Sequence, residues 1–278
     1  MLPKFASVIA KTREEALSWL SSLENPRIIA GGTDLMVKMR AGKQYSHVID
    51  VAGVPELLTM TETNGRLSVG SAMTHARLST SEPIIRNARS LALACGLVGS
   101  PQIRNMGTIG GNLANASPAA DSIPPLLIHD AVLVLESKET RRRVPLEEVI
   151  VAPYVTSIDR KELLRSVEIS PLRGYREGYR RVAKRATWAI SRLGVAFAIK
   201  EDKGRFTDVK LAIGSCTPMP FRPKKVEDLL KGAEKNEAII TEAIRMTLEE
   251  IKLISGIRPS YAYKLPVLKG ILEEVLRG

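Results

Sequence analysis

Cysteine and histidine are scarce in this sequence. Its 278 residues include only two cysteines, Cys95 and Cys216, and three histidines, His47, His75 and His129. Two thiols are too few for a disulfide framework, a four-thiolate metal site or an iron–sulfur cluster. The histidines are scattered without metal-ligand spacing, so we expect structural histidines and no metal site in this chain.

Long apolar runs and aromatic residues are also few. The longest apolar stretch, Ile123 to Leu135, is interrupted by His129 and Asp130 and is too short to span a membrane. The first residues contain no apolar segment that ends in a small-residue cleavage site, so we expect no signal peptide and a cytoplasmic protein. Aromatic residues make up 4% of the chain, which leaves few stacking platforms for single-stranded nucleic acid.

Acidic residues are outnumbered, with 30 against 41 basic ones and a formal net charge of +11. Such a charge suits nucleic acid, a membrane surface or an acidic protein partner. The basic residues are spread along the chain, with local density at 141–143 and from Arg173 to Arg185. This spread favours a solvated or partner-facing surface, so we expect no nucleic acid and name the stretch from Arg173 to Arg185 as the candidate docking surface.

The remaining composition is that of a globular protein, with 44% hydrophobic and 26% charged residues. Mixed helices and strands without a strict βαβ rhythm favour an α+β fold. The sequence pattern changes near Pro171, which predicts two domains, residues 1–170 and 171–278. The first domain is expected to contain subdomains of about 1–55 and 56–170.

Periodicity and capping signals predict the individual elements. Helices are expected over 12–23, 35–40, 226–230, 237–251 and 260–276, with a helical stripe over 84–95. Strands are expected over 27–30, 47–51, 67–70, 131–135, 163–169, 194–200 and 209–213. Residues 96–112 are predicted to form a glycine-rich loop.

The first informative motif is Ala30-Gly31-Gly32-Thr33-Asp34-Leu35, between an apolar strand and a helix start. Paired glycines permit a positive φ and close approach to a ligand, and successive amides can form a concave anion site. A plain tight turn is the alternative. The motif lacks the Gly-Lys-Ser/Thr of a Walker loop and the third glycine of the Rossmann fingerprint. A dinucleotide at this loop therefore needs a different scaffold.

The second motif is Gly107-Thr108-Ile109-Gly110-Gly111-Asn112, followed by small residues as far as Asp121. Its paired glycines again stand beside a hydroxyl and an amide side chain. The carboxylate of Asp121 suits sugar hydroxyls, or alternatively the N-cap of the next helical turn. Two such loops match an extended dinucleotide, one at the pyrophosphate and one toward the far end.

The segments AGGTDL and RNMGTIGGNLANASPAAD resemble the FAD-binding subunits of the molybdenum hydroxylases. That family includes the medium subunits of carbon monoxide dehydrogenase and aldehyde oxidoreductases and the flavin domain of xanthine dehydrogenase. The resemblance covers nearly the whole chain. It implies a two-part FAD-binding region of the vanillyl-alcohol-oxidase (PCMH) type and a C-terminal α+β domain with an antiparallel sheet and helices.

The resemblance also implies which residues bind FAD. These are Ile28, Ile29, Ala30, Gly31, Gly32, Thr33, Asp34 and Leu35 in the first motif, Thr108, Ile109, Gly110, Gly111 and Asn112 in the second, and Asp121, Leu164 and Arg180 elsewhere. Val98 stands where the xanthine enzymes carry a Phe, which puts ring stacking at that position in doubt. No His or Cys lies within either loop, so we expect non-covalent FAD.

The expected role is electron transfer, with no catalytic acid or base in this chain, because a flavin performs the electron chemistry itself. By resemblance, a molybdopterin-containing large subunit oxidises the substrate, a small subunit relays electrons through [2Fe–2S] clusters, and FAD here passes them to an outside acceptor. The assembly implied is a hetero-oligomer such as a dimer of heterotrimers.

The sequence leaves the substrate of the complex open. It could be carbon monoxide, an aldehyde, a purine or an N-heterocycle. The alternatives are a free-standing flavoprotein oxidoreductase and a nucleic-acid-binding protein.

Overall fold

The computed structural model describes residues 3–184 and 190–278. Its strands are β1 (Ala6–Ile9), β2 (Pro26–Ile29), β3 (His47–Asp50), β4 (Met60–Thr63), β5 (Arg66–Gly70), β6 (Val132–Glu136), β7 (Arg141–Pro145), β8 (Ile150–Ala152), β9 (Val155–Thr156), β10 (Leu163–Ile169), β11 (Arg176–Ala183), β12 (Ser191–Asp202) and β13 (Arg205–Gly214). Its helices are α1 (Arg13–Ser22), α2 (Leu35–Arg40), α3 (His75–Thr80), α4 (Glu82–Asn87), α5 (Arg89–Leu97), α6 (Pro101–Met106), α7 (Ile109–Asn115), α8 (Ile123–Ile128), α9 (Leu146–Val149), α10 (Lys224–Leu230), α11 (Glu237–Ser255) and α12 (Tyr261–Arg277).

The N-terminal layer is a small parallel sheet in the order β1-β3-β2 with α1 packed on it. The predicted start of α1 is confirmed, since the Thr12 hydroxyl accepts a hydrogen bond from the Glu15 amide at 3.2 Å. Leu17 and Leu20 on its inner face are buried. Parallel pairing places the C-terminal end of β2 at one edge of this layer, and the first glycine motif begins there.

The middle layer is an antiparallel sheet in the order β4-β5-β10-β6-β7. Helices between β5 and β6 pack on it through one apolar core that includes Leu91, Leu113, Ile123, Leu133 and Val167. The second glycine motif lies in this helical layer. Its position therefore depends on the packing of the whole core.

The C-terminal layer is an antiparallel sheet in the order β11-β12-β13. One face presents the small side chains of Ala196, Ala198 and Ala212 to the core of the middle layer. The other face packs larger side chains, such as Phe197 and Leu211, against a separate core shared with α11 and α12. Burial on both faces explains the uninterrupted apolar run that predicts β12. The mixed layers and antiparallel sheets confirm the α+β class.

Two predictions of local structure are wrong. Residues 96–112, predicted as a loop, contain α6 and the start of α7, because Ser100 and Thr108 cap short helices that have no long apolar stripe. The stripe over 84–95 falls on two helices rather than one. Ala88 separates α4 from α5 with φ −155° and ψ 60°.

Candidate functional site

Two cavities lie against the first glycine motif and together form what we call the interloop groove. Their volumes are about 120 Å³ and about 130 Å³. Both are lined by Arg27, Ile28, Ala30, Thr108, Gly111 and Ala114. The structure thus brings the two glycine motifs, separate in sequence, together in the wall of one groove.

The first motif lines the groove with a half-buried, turned backbone. Gly32 has φ +68°, which a residue with a side chain rarely adopts. A Cβ on Gly31 would lie 1.8 Å from the Met106 carbonyl oxygen, so only glycine lets the two motifs approach this closely. Within the described residues, the four backbone amides from 31 to 34 donate no hydrogen bond to the protein. Successive unpaired amides of this kind suit an anion.

The second motif forms the first turn of α7, and its two adjacent glycines serve different purposes. The Gly110 amide donates to the Ser71 carbonyl at 2.9 Å, and a Cβ on Gly110 would lie 2.6 Å from the Ser71 Cβ. A Cβ on Gly111 would meet only the Thr108 hydroxyl, at 3.0 Å. Gly110 is therefore needed for packing, whereas Gly111 presents a bare backbone to the groove.

His75 lies in the wall of the groove, where its side chain is neutral. The residue is 1% exposed, and its Nδ1 lies 3.5 Å from the Cys95 Sγ. Burial lowers the pKa of His75 to about 4. Burial also raises the pKa of the Cys95 thiol, which stays protonated. The ring can thus offer the groove a polar atom without a positive charge.

Most of the implied FAD-binding residues line the groove. The first cavity includes residues 28–35 with Thr108, Gly111 and Asn112, and the second adds Gly110 and Leu164. Three implied residues lie outside both cavities: Ile109, Asp121 and Arg180. Other lining residues were not predicted from the sequence, among them Lys38, His75 and Asn115.

Asp121 belongs to a buried polar cluster that links the middle and C-terminal layers. Its Oδ1 accepts hydrogen bonds from the Tyr179 hydroxyl at 2.7 Å and from the Ser191 hydroxyl. The Arg181 Nε lies 3.8 Å from the same oxygen. Burial raises the pKa of Asp121 although all three neighbours favour its charged form. The N-cap position of α8 is Ser122, so the alternative reading of Asp121 as the cap is wrong.

The candidate docking surface from Arg173 to Arg185 offers little free positive charge. Arg173 pairs with Glu62, Arg176 with Glu201, and Arg180 with Glu274. The Arg181 side chain is 4% exposed and donates to the Leu97 carbonyl. Arg185 lies outside the described residues. The four described arginines of this stretch are therefore engaged by other groups of the same chain.

Two further expectations concern absences. In residues 3–184 and 190–278, no group of three or more His, Cys, Asp or Glu side chains is arranged to hold a metal ion. No helix in that same portion of the chain is long and apolar enough to cross a membrane.

Two family models match successive parts of this chain. The model for the FAD-binding domain in molybdopterin dehydrogenase matches residues 3–172. The model for the CO dehydrogenase flavoprotein C-terminal domain matches residues 178–278. Each glycine motif lies within the first of these.

Relatives match over nearly their whole length. The glyceraldehyde dehydrogenase medium chain of Sulfolobus acidocaldarius is 31% identical, covering 96% of this chain and 95% of its own. The xanthine dehydrogenase FAD-binding subunit of Escherichia coli O157:H7 is 29% identical, and the match covers 96% of this chain and 93% of that subunit. Among solved structures, quinoline 2-oxidoreductase from Pseudomonas putida 86 is 25% identical with a TM-score of 0.90 over 100% of this chain and 97% of that one. The chain therefore belongs to the FAD-binding medium subunits of the molybdenum hydroxylases, and FAD is its cofactor.

Proposed function

We propose that this chain is the electron-transfer subunit of a molybdenum-dependent hydroxylase or dehydrogenase complex. Its FAD takes electrons from [2Fe–2S] clusters of a small partner subunit and passes them to an outside acceptor. A molybdopterin-containing large subunit oxidises the substrate, an aldehyde, carbon monoxide or a related compound. The observation that carries this proposal is the interloop groove, where the unpaired amides of the first glycine motif lie beside the second motif.

The residues of the groove fit FAD. The unpaired amides of residues 31–34 suit the pyrophosphate, because amide groups that point together stabilise negative charge. The bare backbone at Gly111 leaves room for the cofactor beside the second motif. When bound, FAD supplies the redox chemistry, and the protein supplies binding and orientation.

We assign the binding role to residues 28–35, Thr108, Gly110, Gly111, Asn112 and Leu164, which line the groove. Ile109 helps to hold the second motif in place, since its amide donates a hydrogen bond to the Met73 carbonyl at 2.9 Å. Asp121 accepts hydrogen bonds from Tyr179 of β11 and from Ser191 at the start of β12, and Arg180 secures β11 to α12 through Glu274. These assignments extend the two-part, PCMH-type organisation to this chain, with domains 1–170 and 171–278.

The cysteine content supports the part of the proposal that concerns partner subunits. A [2Fe–2S] cluster takes four ligands, and Cys95 and Cys216 are both buried, the first beside His75 and the second in the C-terminal core. Electrons that arrive through such clusters must come from another chain. The names of the relatives, a medium chain and a FAD-binding subunit, support this division of labour.

Purification of the chain from its native cells under mild conditions tests the proposal. We expect a hetero-oligomer that contains FAD, iron and molybdenum, with the metals in the co-purifying chains. A homo-oligomer that turns over substrate without other chains would instead establish a free-standing flavoprotein oxidoreductase.

A further inference from the structure

Lys38 extends from α2 across the first cavity of the interloop groove. It lies one turn after the first glycine motif. Its Nζ donates a hydrogen bond to Asn115 Oδ1 at 2.5 Å and lies 5.7 Å from the centre of the Tyr154 ring. Asn115 ends α7, which begins with the second glycine motif, and Tyr154 lies in the turn between β8 and β9. Three segments that are distant in sequence therefore converge on this one ammonium group.

The partners of Lys38 hold it without neutralising it. An amide oxygen and an aromatic face both attract a cation, but neither carries a formal negative charge. Within residues 3–184 and 190–278, no carboxylate lies within ion-pair distance of Lys38. An ammonium group has three donors, and Asn115 uses one of them.

The supports of Lys38 are themselves fixed. Asn115 is 7% exposed, and Ala116 after it adopts a left-handed conformation with φ +47°. The Tyr154 amide donates to the Ala116 carbonyl at 2.9 Å, which ties the β8–β9 turn to the end of α7. The position of the charge at the groove is thus set by the fold rather than by a free side chain at the surface.

We propose that Lys38 is an anion-binding residue of this site, whose ammonium, positioned by Asn115 and Tyr154, faces the phosphates of the bound dinucleotide. This inference rests on the proposed placement of the FAD pyrophosphate against the amides of the first motif. Lysine binds phosphate as a point charge and adds a full charge to the partial charges of backbone amides.

Titration of the apoprotein with FAD, ADP and riboflavin tests this role. Lys38→Met keeps most of the side-chain length and removes the charge. Because a hydrogen bond to a charged group is a strong one, we expect FAD and ADP to bind about ten- to a hundredfold more weakly. Riboflavin, which lacks phosphate, is expected to bind as it does to the wild type. Lys38→Arg keeps the charge and is expected to retain most of the affinity.

Arg40→Met is the matched control, because Arg40 lies on the same helix, is exposed and does not line the groove. It should leave all three affinities unchanged. Unchanged FAD and ADP affinity in Lys38→Met would overturn the inference, as would an equal loss for riboflavin, which would indicate a structural role through Asn115 and Tyr154. A wild-type chain that binds no FAD would count against the proposed function instead.

Discussion

Gly110 and Gly111 are neighbours with opposite structural demands. A Cβ on Gly110 would clash with Ser71, whereas a Cβ on Gly111 would point into the groove and meet only Thr108. We expect Gly111→Val to fold and to lose FAD affinity by about tenfold or more, since a close backbone approach is blocked. Gly110→Ala is the contrasting variant and should lower the free energy of unfolding by about 1–3 kcal/mol through overpacking. Equal FAD content in Gly111→Val and the wild type would identify the second motif as an ordinary helix start.

His75 predicts a specific pH dependence of stability. Burial lowers its pKa from 6.5 to about 4, so the unfolded chain binds a proton at higher pH than the folded chain does. The stability gained from keeping His75 neutral in the fold is fully present above pH 6.5 and is lost as the pH falls through about 4. Linkage gives a loss of about 3 kcal/mol over this window.

Urea unfolding of the wild type and of His75→Gln, at about pH 7 and about pH 4.5, measures this dependence. The variant has no titrating group at this position, so its free energy of unfolding should fall less between the two pH values. Parallel losses in both proteins would show that protonation of another group is responsible.

Sequence predicts the residues of the groove only where they belong to a pattern. The paired glycines at 31–32 and 110–111 are recognisable because side-chain-free backbone is required at both places. Lys38, His75 and Asn115 are single polar residues in short helices, and no spacing marks them. They become part of the site only through the tertiary packing of α2, α3 and α7. The same packing separates Asp121 and Arg180 from the groove.

At the scale of elements, α5 begins with a cap supplied from another layer. Ala88 at its N-cap position provides no side-chain acceptor. The Glu177 carboxylate from β11 accepts instead from the amides of Arg89, at 2.9 Å, and Ser90, at 3.2 Å. His129 Nε2 lies 3.0 Å from the same carboxylate. This contact joins the C-terminal sheet to the helices of the middle layer.

Glu177→Gln is therefore expected to destabilise the fold. Burial opposes the ionisation of Glu177, but His129, Ser90 and the Arg89 amide hold its pKa below the usual value. The stabilisation is present above the ordinary pKa of 4.5 and is lost as the pH falls below it. At neutral pH we expect a loss of about 1–3 kcal/mol in the free energy of unfolding.

Thermal or urea unfolding of this variant provides the measurement, with Glu139→Gln as a control on an exposed turn. The control should differ from the wild type by less than about 0.5 kcal/mol. A Glu177→Gln protein as stable as the control would show that the buried carboxylate contributes no net stability.

Elements with strong local signals were predictable, and those defined by long-range contacts were not. Helix α1 has a cap and an apolar face, and β12 has a continuous apolar run. By contrast, β7 begins with Arg141–Arg143 and β11 contains Arg176, Arg180 and Arg181, so neither shows strand alternation. Several of these side chains form ion pairs with other elements, which no local window reveals: Arg142 with Glu162, Arg143 with Glu168, Arg176 with Glu201 and Arg180 with Glu274.

At the scale of the whole molecule, the sequence predicts the α+β class but not the order of the strands. Strand β10 lies between β5 and β6 in the sheet. It pairs with β5, which is far away in the sequence, so that Ser166 lies opposite Gly70. Such pairings depend on the sum of the core contacts rather than on any motif.

The fold also predicts how the cofactor is attached. Among the residues that the structure describes, no cysteine lines either cavity of the groove, and the one histidine that does, His75, is buried and hydrogen-bonded to Cys95. We therefore expect acid precipitation of the holoprotein to release intact FAD into the supernatant, identified by chromatography. Flavin that stays with the precipitated protein would indicate a covalent bond, and FMN in the supernatant would contradict the dinucleotide site.

Anaerobic reduction of the flavin tests most directly whether this chain is an electron relay. The measurement compares flavin absorbance in the native complex and in the isolated FAD-loaded chain after addition of the substrate that the complex oxidises. We predict rapid bleaching of the flavin in the complex and none in the isolated chain, because in the proposed relay the electrons enter through iron–sulfur clusters of a partner subunit. Bleaching of the isolated chain by substrate alone would contradict the relay and show that this protein oxidises the substrate itself.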